Sequence, residues 1–401
     1  MTQTGTETAA VQVPAIPTLE WYAAELQLMC VGGAVLGSGG GGSYQLARSI
    51  LQSININTGI PLVSLQRATT GAWATMVADM GAPSSLNLSN EVLQSPVNAL
   101  AAMEAYCAAM SLQFPGFDGF SYLYPVETGA VNSLIPFVAA LSGNRTRAVV
   151  DADGAGRAVP VLQLTTYAGK LPLFPNFIGS AGTGSNVSIG QVNTQTEVQA
   201  ENALAAMIAS PTFGGVSGLA MYAVTTDAYR ACTPVPGVLS TAVNVGNCFN
   251  SATGPARAQA IADYLTSRGR QARPVFEGRV TGMVQVAGEH DVGTVTITAD
   301  DGTQLWIFNE NENIFCSRTD TGPLVIGPDS ICYVPHEGDP YDNSDLYNLF
   351  QSSSGVPGRV TVLAVDAPPE VKANAILMST WQGVLAPYGY AGPYVQPWLN
   401  D

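Results

Sequence analysis

Leu19, Tyr22, Leu26 and Met29 recur at helical spacing, which predicts a first helix with Thr18 as a possible N-cap. The glycine run GSGGGG, residues 37–42, ends that helix, and Ser43 stands where it can cap a second one from Tyr44 to about Ser53. IPLVSL (60–65) and WATMVADMG (73–81) read as strands that end in turns. Residues 91–111 are Ala-rich and helical, with Pro96 marking the expected start. Then FSYLYPVETGAVNSLIPFVAAL (120–141) runs from strand through a loop at Glu127 to a helix, and Ala148–Asp151 is a buried strand that opens into a polar turn. Strand–helix–strand alternation of this kind implies an α/β layer structure.

The second half has a different texture. Helices fit 197–209 and 255–268, with a strand at LAMYAVTT between them. From 274 onward short β segments follow closely: VFEGRVTGMVQVA, GTVTITA, QLWIFN, SICYVP and GRVTVLAV. Such spacing suggests a sandwich or small barrel. The expected organisation is a polar tail over 1–16, an α/β N-terminal domain over 17–167 containing the glycine loop, and a C-terminal domain over 168–401, β-rich from 274. A chain of 401 residues exceeds what one core usually serves, so two domains fit its length.

Composition narrows the function. The net charge of −15 repels polyanions, so nucleic acid is not an expected partner. No apolar run approaches the ~20 residues of a membrane span, and no basic-then-apolar leader precedes the first helix. Six cysteines without a CxxC read as reduced core thiols of a cytoplasmic protein, with Cys248 or Cys316 left open as a nucleophile. Only two histidines exist, His290 and His336, 46 residues apart and without ligand-spaced partners, which argues against a histidine-held zinc.

Chemistry must then come from carboxylates, amides and glycines. Gly37, Gly39 and Gly42 satisfy GxGxxG, but no strand precedes them and no acid stands in 55–65, so a dinucleotide site is not indicated. Gly39, Gly40, Gly41 and Gly42 can instead offer backbone N–H groups to an anion or polarised carbonyl, or simply make a tight turn between helices. Asp151 and Asp153, two apart at a strand end, can share a proton, hold a divalent cation or form a structural ion cluster, with Arg157 to neutralise them or bind a carboxylate. Glu127 and Asn132 lie in a loop between strand and helix. Asn309, Glu310, Asn311 and Glu312 read as a polar turn after the Leu305–Phe308 strand.

Taken in order, these segments resemble the S-methyl-thiohydantoin desulfurase-like family over roughly Leu19 to Trp398. GGAVLGSGGGGSY is similar to its glycine signature, VETGAVNS to its Glu-Gly-Gly-x-Asn loop (with Thr128 where glycine is usual), and VVDADGAGRAVP to its Asp-x-Asp-x-x-Gly-Arg-Ala-x-Pro segment. FEGRV, FNENENI, GPDSICYV and APYGYAGPYVQPW follow the same pattern. The resemblance implies an α/β domain and a β-rich domain with a site between them, and activity on thiohydantoin or hydantoin-like rings beside hydantoinase-type partners. The expected chemistry is water attack that releases a thiol, with Asp153 as base, Asp151 and Glu127 assisting, and Gly39–Gly42, Asn132, Arg157, Asn309, Glu310 and Asn311 binding the ring. A small-ligand binding protein or partner subunit, in either case without catalysis, is the rival reading; a homo-oligomer is also compatible.

Overall fold

The computed structural model describes residues 19–54, 56, 58–81, 93–143, 145–286 and 291–395. Its first sheet has eight strands. At the centre β2 (Ile60–Val63), β5 (Ala148–Val150), β4 (Tyr122–Tyr124) and β3 (Trp73–Gly81) run parallel. The antiparallel β1 (Leu19–Trp21) borders β2, and β9 (Val216–Thr225), β7 (Asn176–Gly179) and β8 (Ile189–Val192) extend the other side. This sheet does not stop at residue 167: three of its strands lie beyond that point, so the α/β layer reaches Thr225.

Leu19 is not helical. It pairs with Leu62 in β1, and α1 (Ala23–Leu36) begins only after a capping box in which the Tyr22 amide donates to Glu25. Helical spacing at 19, 22, 26 and 29 was misleading because edge pairing with β2 claims the first of these positions; Thr18 lies outside the described residues. Ser43 does cap α2 (Tyr44–Ser53), accepting from the Leu46 amide at 3.2 Å. α3 (Gln94–Ala109) starts two residues before Pro96, which is tolerated because first-turn amides need no intrahelical acceptor. α4 (Ile135–Ala140) and α5 (Glu197–Ile208) follow, then α6 (Thr226–Ala231), α7 (Val238–Ser251) and α8 (Ala256–Ser267).

Alternate side chains of the central strands feed two cores. Val77, Leu123 and Val149 pack with α1, α3, α4 and α7, whereas Met76, Ala78, Tyr124 and Val150 pack with α5. The α1–α7 contact is backbone against backbone. A methyl on Gly32 would sit 1.8 Å from the Ala242 carbonyl oxygen, and one on Gly246 2.1 Å from that of Leu28. Gly32→Ala is expected to push the helices apart and cost about 1–3 kcal/mol, read as a lowered urea midpoint at unchanged m-value.

The second sheet is antiparallel, with seven strands in the order β15-β14-β13-β12-β11-β17-β16. These are β11 (Ala272–Val286), β12 (Val292–Thr298), β13 (Gln304–Glu310), β14 (Glu312–Arg318), β15 (Gly322–Ile326), β16 (Ser330–Pro335) and β17 (Val360–Val365). They curl into a half-barrel around Val295, Ile297, Leu305, Ile307 and Ile331, closed at one end by α9 (Asn343–Gln351). A small ladder, β6 (Ala152–Asp153) with β10 (Val235–Pro236), and the C-terminal α10 (Pro369–Lys372) and α11 (Ala375–Leu385) complete the regular elements. The two-domain α/β plus β-rich architecture expected from the residue pattern is the one found.

The domains are stitched by the glycine loop. Ser38, at φ +54°, lies between β14 and β16: its carbonyl accepts from the Asn313 amide at 2.7 Å and its Oγ from the Ile331 amide at 2.8 Å. The Asn313 side chain bonds the Ile331 carbonyl at 2.9 Å, and the Gly39 carbonyl accepts from the Asn343 amide at 2.8 Å. No helix of the described residues is long and apolar enough to cross a membrane.

Candidate functional site

A cleft of about 700 Å³ opens between the domains, within the size range of small-molecule sites. Its position follows from topology. Gly81 and Val126 stand at or just beyond the carboxyl ends of the parallel strands β3 and β4, where open α/β sheets place ligands. Met76, Ala78, Leu219 and Ile208 give it an apolar wall; Gly41, Gly42, Val131 and Asn132 form another side, and Asn311 and Glu312 of the half-barrel close it.

Glu127 is its best-anchored acid. Asn132 Nδ2 donates to Oε1 at 2.8 Å and the Val159 amide to Oε2 at 2.7 Å. Burial nevertheless pushes this carboxyl up to about 7, helped by the neighbouring Asp153. Glu312 faces it from the other domain. It is 5% exposed and rises well above the ordinary carboxyl range because it is buried and because Glu127 is close; a hydrogen bond from the Gly41 amide opposes the rise. Its Oε2 has no hydrogen-bond partner among the described residues. Glu312, raised by burial and by Glu127, keeps its proton at neutral pH, whereas Glu127, near 7, can lose its own, so one can accept a proton while the other donates.

The other expected site residues separate into those at the cleft and those with duties elsewhere. Gly41, Gly42, Glu127, Asn132 and Asn311 line it. Gly40 lies against Glu312, where an added methyl would be 2.0 Å from Oε1, and Gly39 faces Asn313 and Asn343. Two of the loop amides are already engaged, Gly40 with the Gly37 carbonyl and Gly41 with Glu312, so the loop is not the open anion cradle considered from its glycines.

Asp151 and Asp153 part company because the chain turns between them. Asp151 accepts from the Leu239 and Ser240 amides at 2.8 and 3.3 Å and from Ser240 Oγ, and so caps α7. Asp153, fully buried, accepts from the Ala155 and Gly156 amides at 3.0 and 2.6 Å and from Thr128 Oγ1 at 2.6 Å. The hydroxyl of Thr128, at the position where the resembled family usually has glycine, is therefore one of three donors that hold Asp153. With both oxygens of each carboxyl met by donors, the pair is split between two networks rather than aimed at a shared cation.

Arg157 does not reach either aspartate. Its Nε donates to the Ala158 carbonyl at 2.8 Å, Nη1 to that of Asp329 at 2.7 Å and Nη2 to that of Asn313 at 2.7 Å. Asn309 is fully buried on the inward face of β13 beside Leu305 and Ile307, and Glu310 bonds Tyr388. The expected polar turn is really a hairpin with Asn311 alone at its tip, at φ +55°. Asparagine tolerates that left-handed conformation. Glu312, counted in the turn but not among the ring-binding residues, therefore begins a strand. The missed signal was the apolar run Ile314–Cys316, which resumes directly after Asn313.

The thiols left open fare no better as nucleophiles. Burial pushes Cys316 up to about 12 and raises the half-buried Cys248 as well. His336 Nε2 pairs with Thr361 Oγ1 at 2.8 Å, and His290 lies outside the described residues.

Raised carboxyls make stability depend on pH. Burial brings Asp153 to about 6, Asp79 and Asp329 to about 7 and Asp342 to about 8, all above the value of an unfolded aspartate. Each binds its proton more tightly when folded, so its contribution is complete below about pH 4 and is lost as pH climbs through 6 to 8. Moving one carboxyl from 3.8 to about 6 is worth about 3 kcal/mol over that window. Thermal scans should show Tm falling by several degrees between pH 5 and pH 8; a Tm that rises over this interval would contradict the assignment.

Comparison with known proteins agrees with the architecture. The S-Me-THD-like N-terminal domain matches residues 24–191 and the S-Me-THD-like C-terminal domain matches residues 195–390. A crystal structure of a protein from Chromobacterium violaceum, from the Northeast Structural Genomics Consortium, superposes with a TM-score of 0.79 at 25% identity, covering 94% of this chain and 99% of the other. Among curated proteins none matches. With both domains matched in order and nearly end to end, the chain belongs to the S-Me-THD-like family.

Proposed function

We propose that the protein is a hydrolase-type enzyme that removes a thiol from a small thiohydantoin or hydantoin-like ring, with Glu127 and Glu312 as its working acids. One observation carries this reading: two interacting buried carboxyls, one from each domain, line a cavity sized for a heterocycle. Membership of the S-Me-THD-like family supports this substrate class.

In the proposed step, C2 of an S-methyl-thiohydantoin lies against the pair. Glu127, oriented by Asn132 and Val159, takes a proton from water as the oxygen bonds to C2. Glu312, held in its acid form, gives its proton to the sulfur as the C–S bond breaks. Methanethiol leaves, the ring keeps the oxygen, and the proton gained by Glu127 replaces the one lost by Glu312. Asp153 holds the Thr128 turn, and through it Glu127, rather than acting as the base.

The test is thiol release from a panel of thiohydantoins and their S-methyl derivatives, followed with a disulfide reporter. Release above the uncatalysed rate is the expected result. No release from any member, with calorimetric binding of the parent hydantoin, would replace the enzyme reading with that of a ligand-binding protein.

A further inference from the structure

We infer that the cleft selects a positively charged ligand, an amidinium- or guanidinium-type N–C–N group, over neutral and anionic rings of the same shape. This rests on the cleft's being the ligand site, and it assigns the charge of what enters.

The lining is one-sided. Glu127, Glu201 and Glu312 stand around it, and no Lys, Arg or His lines it among the described residues. Asp79, at the end of β3, also borders it, although its carboxyl accepts from Ser95 of α3 at 3.0 Å. The segments outside the described residues contain no Lys or Arg, so no permanently charged basic side chain comes from them. The nearby guanidinium of Arg157 is 1% exposed and directs three of its donors to carbonyls at the domain seam.

The second observation is the unmet oxygen. Glu312 is about as buried as a core side chain, yet its Oε2 finds no donor in the described residues. A buried acceptor left without a partner is destabilising, and a ligand N–H can satisfy it. Glu127 has a donor on each oxygen but keeps a second lone pair on both. A planar N–C–N cation presents adjacent N–H groups, the geometry that pairs best with carboxylates. Met76, Ala78 and Leu219 supply an apolar surface for the rest of the ring. An S-alkyl isothiourea unit becomes such a cation when protonated on nitrogen, and its C2 is then more electrophilic, so the same acids that hold the ligand favour attack on it.

Charge selection has a proton signature. The charges around Glu127 are Asp153, Arg157 and Glu312; those around Glu312 are Glu127, Arg157 and Glu310. At pH 6 Glu127 carries a proton that an incoming cation displaces while Glu312 keeps its own, so binding strengthens as pH rises through about 7 and releases protons to the buffer.

Calorimetry on the full chain with benzamidine, benzamide and benzoate tests this, using two buffers of different ionisation enthalpy at pH 6 and pH 8. Benzamidine is expected to bind at least ~10-fold more tightly than either isostere, to tighten from pH 6 to pH 8 and to release close to one proton. In Glu312→Gln the preference should fall several-fold. Equal binding of benzamide or benzoate, or benzamidine binding weaker than about 10 mM, overturns the inference. Thiol release confined to neutral or anionic rings would also overturn it while leaving the hydrolase standing. Benzamidine selectivity without any thiol release would keep the charge assignment and sink the hydrolase.

Discussion

Glu127→Gln and Glu312→Gln should each lower thiol release by about 10²–10⁴-fold while the protein remains folded, because each removes one proton-transfer partner from the same step. The two effects should not add in the double variant, since removal of either carboxyl disables the unit. The wild-type profile of kcat/KM should be bell-shaped, rising through about 7 as Glu127 loses its proton and falling at higher pH when Glu312 does. Gly40→Ala offers a probe that leaves both acids in place: its methyl, 2.0 Å from Glu312 Oε1, must displace that carboxyl. Loss of rate in this variant with near-normal stability would tie activity to the position of Glu312. Full activity in either glutamine variant would remove the pair from the mechanism.

The second large effect concerns folding. Arg157→Ala should cost about 3–5 kcal/mol, a substantial part of the ~5–15 kcal/mol that holds a typical domain together. The guanidinium is 1% exposed, satisfies three carbonyls on both sides of the domain seam and lies 5.0 Å over the Trp381 ring. Truncation strands those carbonyls and leaves a cavity. Arg157→Lys should recover only part of the loss, since one ammonium cannot meet three acceptors held in a planar fork. Urea titrations of the three proteins measure it; a loss below about 1 kcal/mol in Arg157→Ala would mean that water replaces the side chain easily.

These expectations differ from those the residues suggest on their own, and the reasons are local. Periodicity and turn chemistry made α2, β3 and the β-rich second half legible, because Ser43, the alternation through 73–81 and the glycine turns act within a few residues of themselves. Elements defined by distant pairing were not legible: Leu19 is a strand residue only because Ile60–Val63 lies beside it. Gly41, Gly42, Glu127, Asn132 and Asn311 line one cleft. Asp151, Asp153 and Arg157 were singled out because two carboxylates at a strand end can share a proton or hold a cation, with an arginine close by to bind a carboxylate or neutralise them. What decides their roles is the amide, hydroxyl or carbonyl each meets from residues far away in the chain, such as Leu239, Thr128 and Asn313. Glu312 reaches the cleft only when the half-barrel is docked, which no reading of FNENENI by itself can supply.

The place of Ser38 bears on how anything enters the cleft. Many two-domain proteins admit ligand by swinging one lobe away from the other. Here a swing would pull Ser38 out of the gap between β14 and β16, breaking its bonds to Asn313 and Ile331 together with the Gly39–Asn343 bond. The seam behaves as a weld rather than a hinge. A ligand that enters with the domains in place needs no closing motion, so the cleft is expected to act as a fixed chamber instead of a closing jaw.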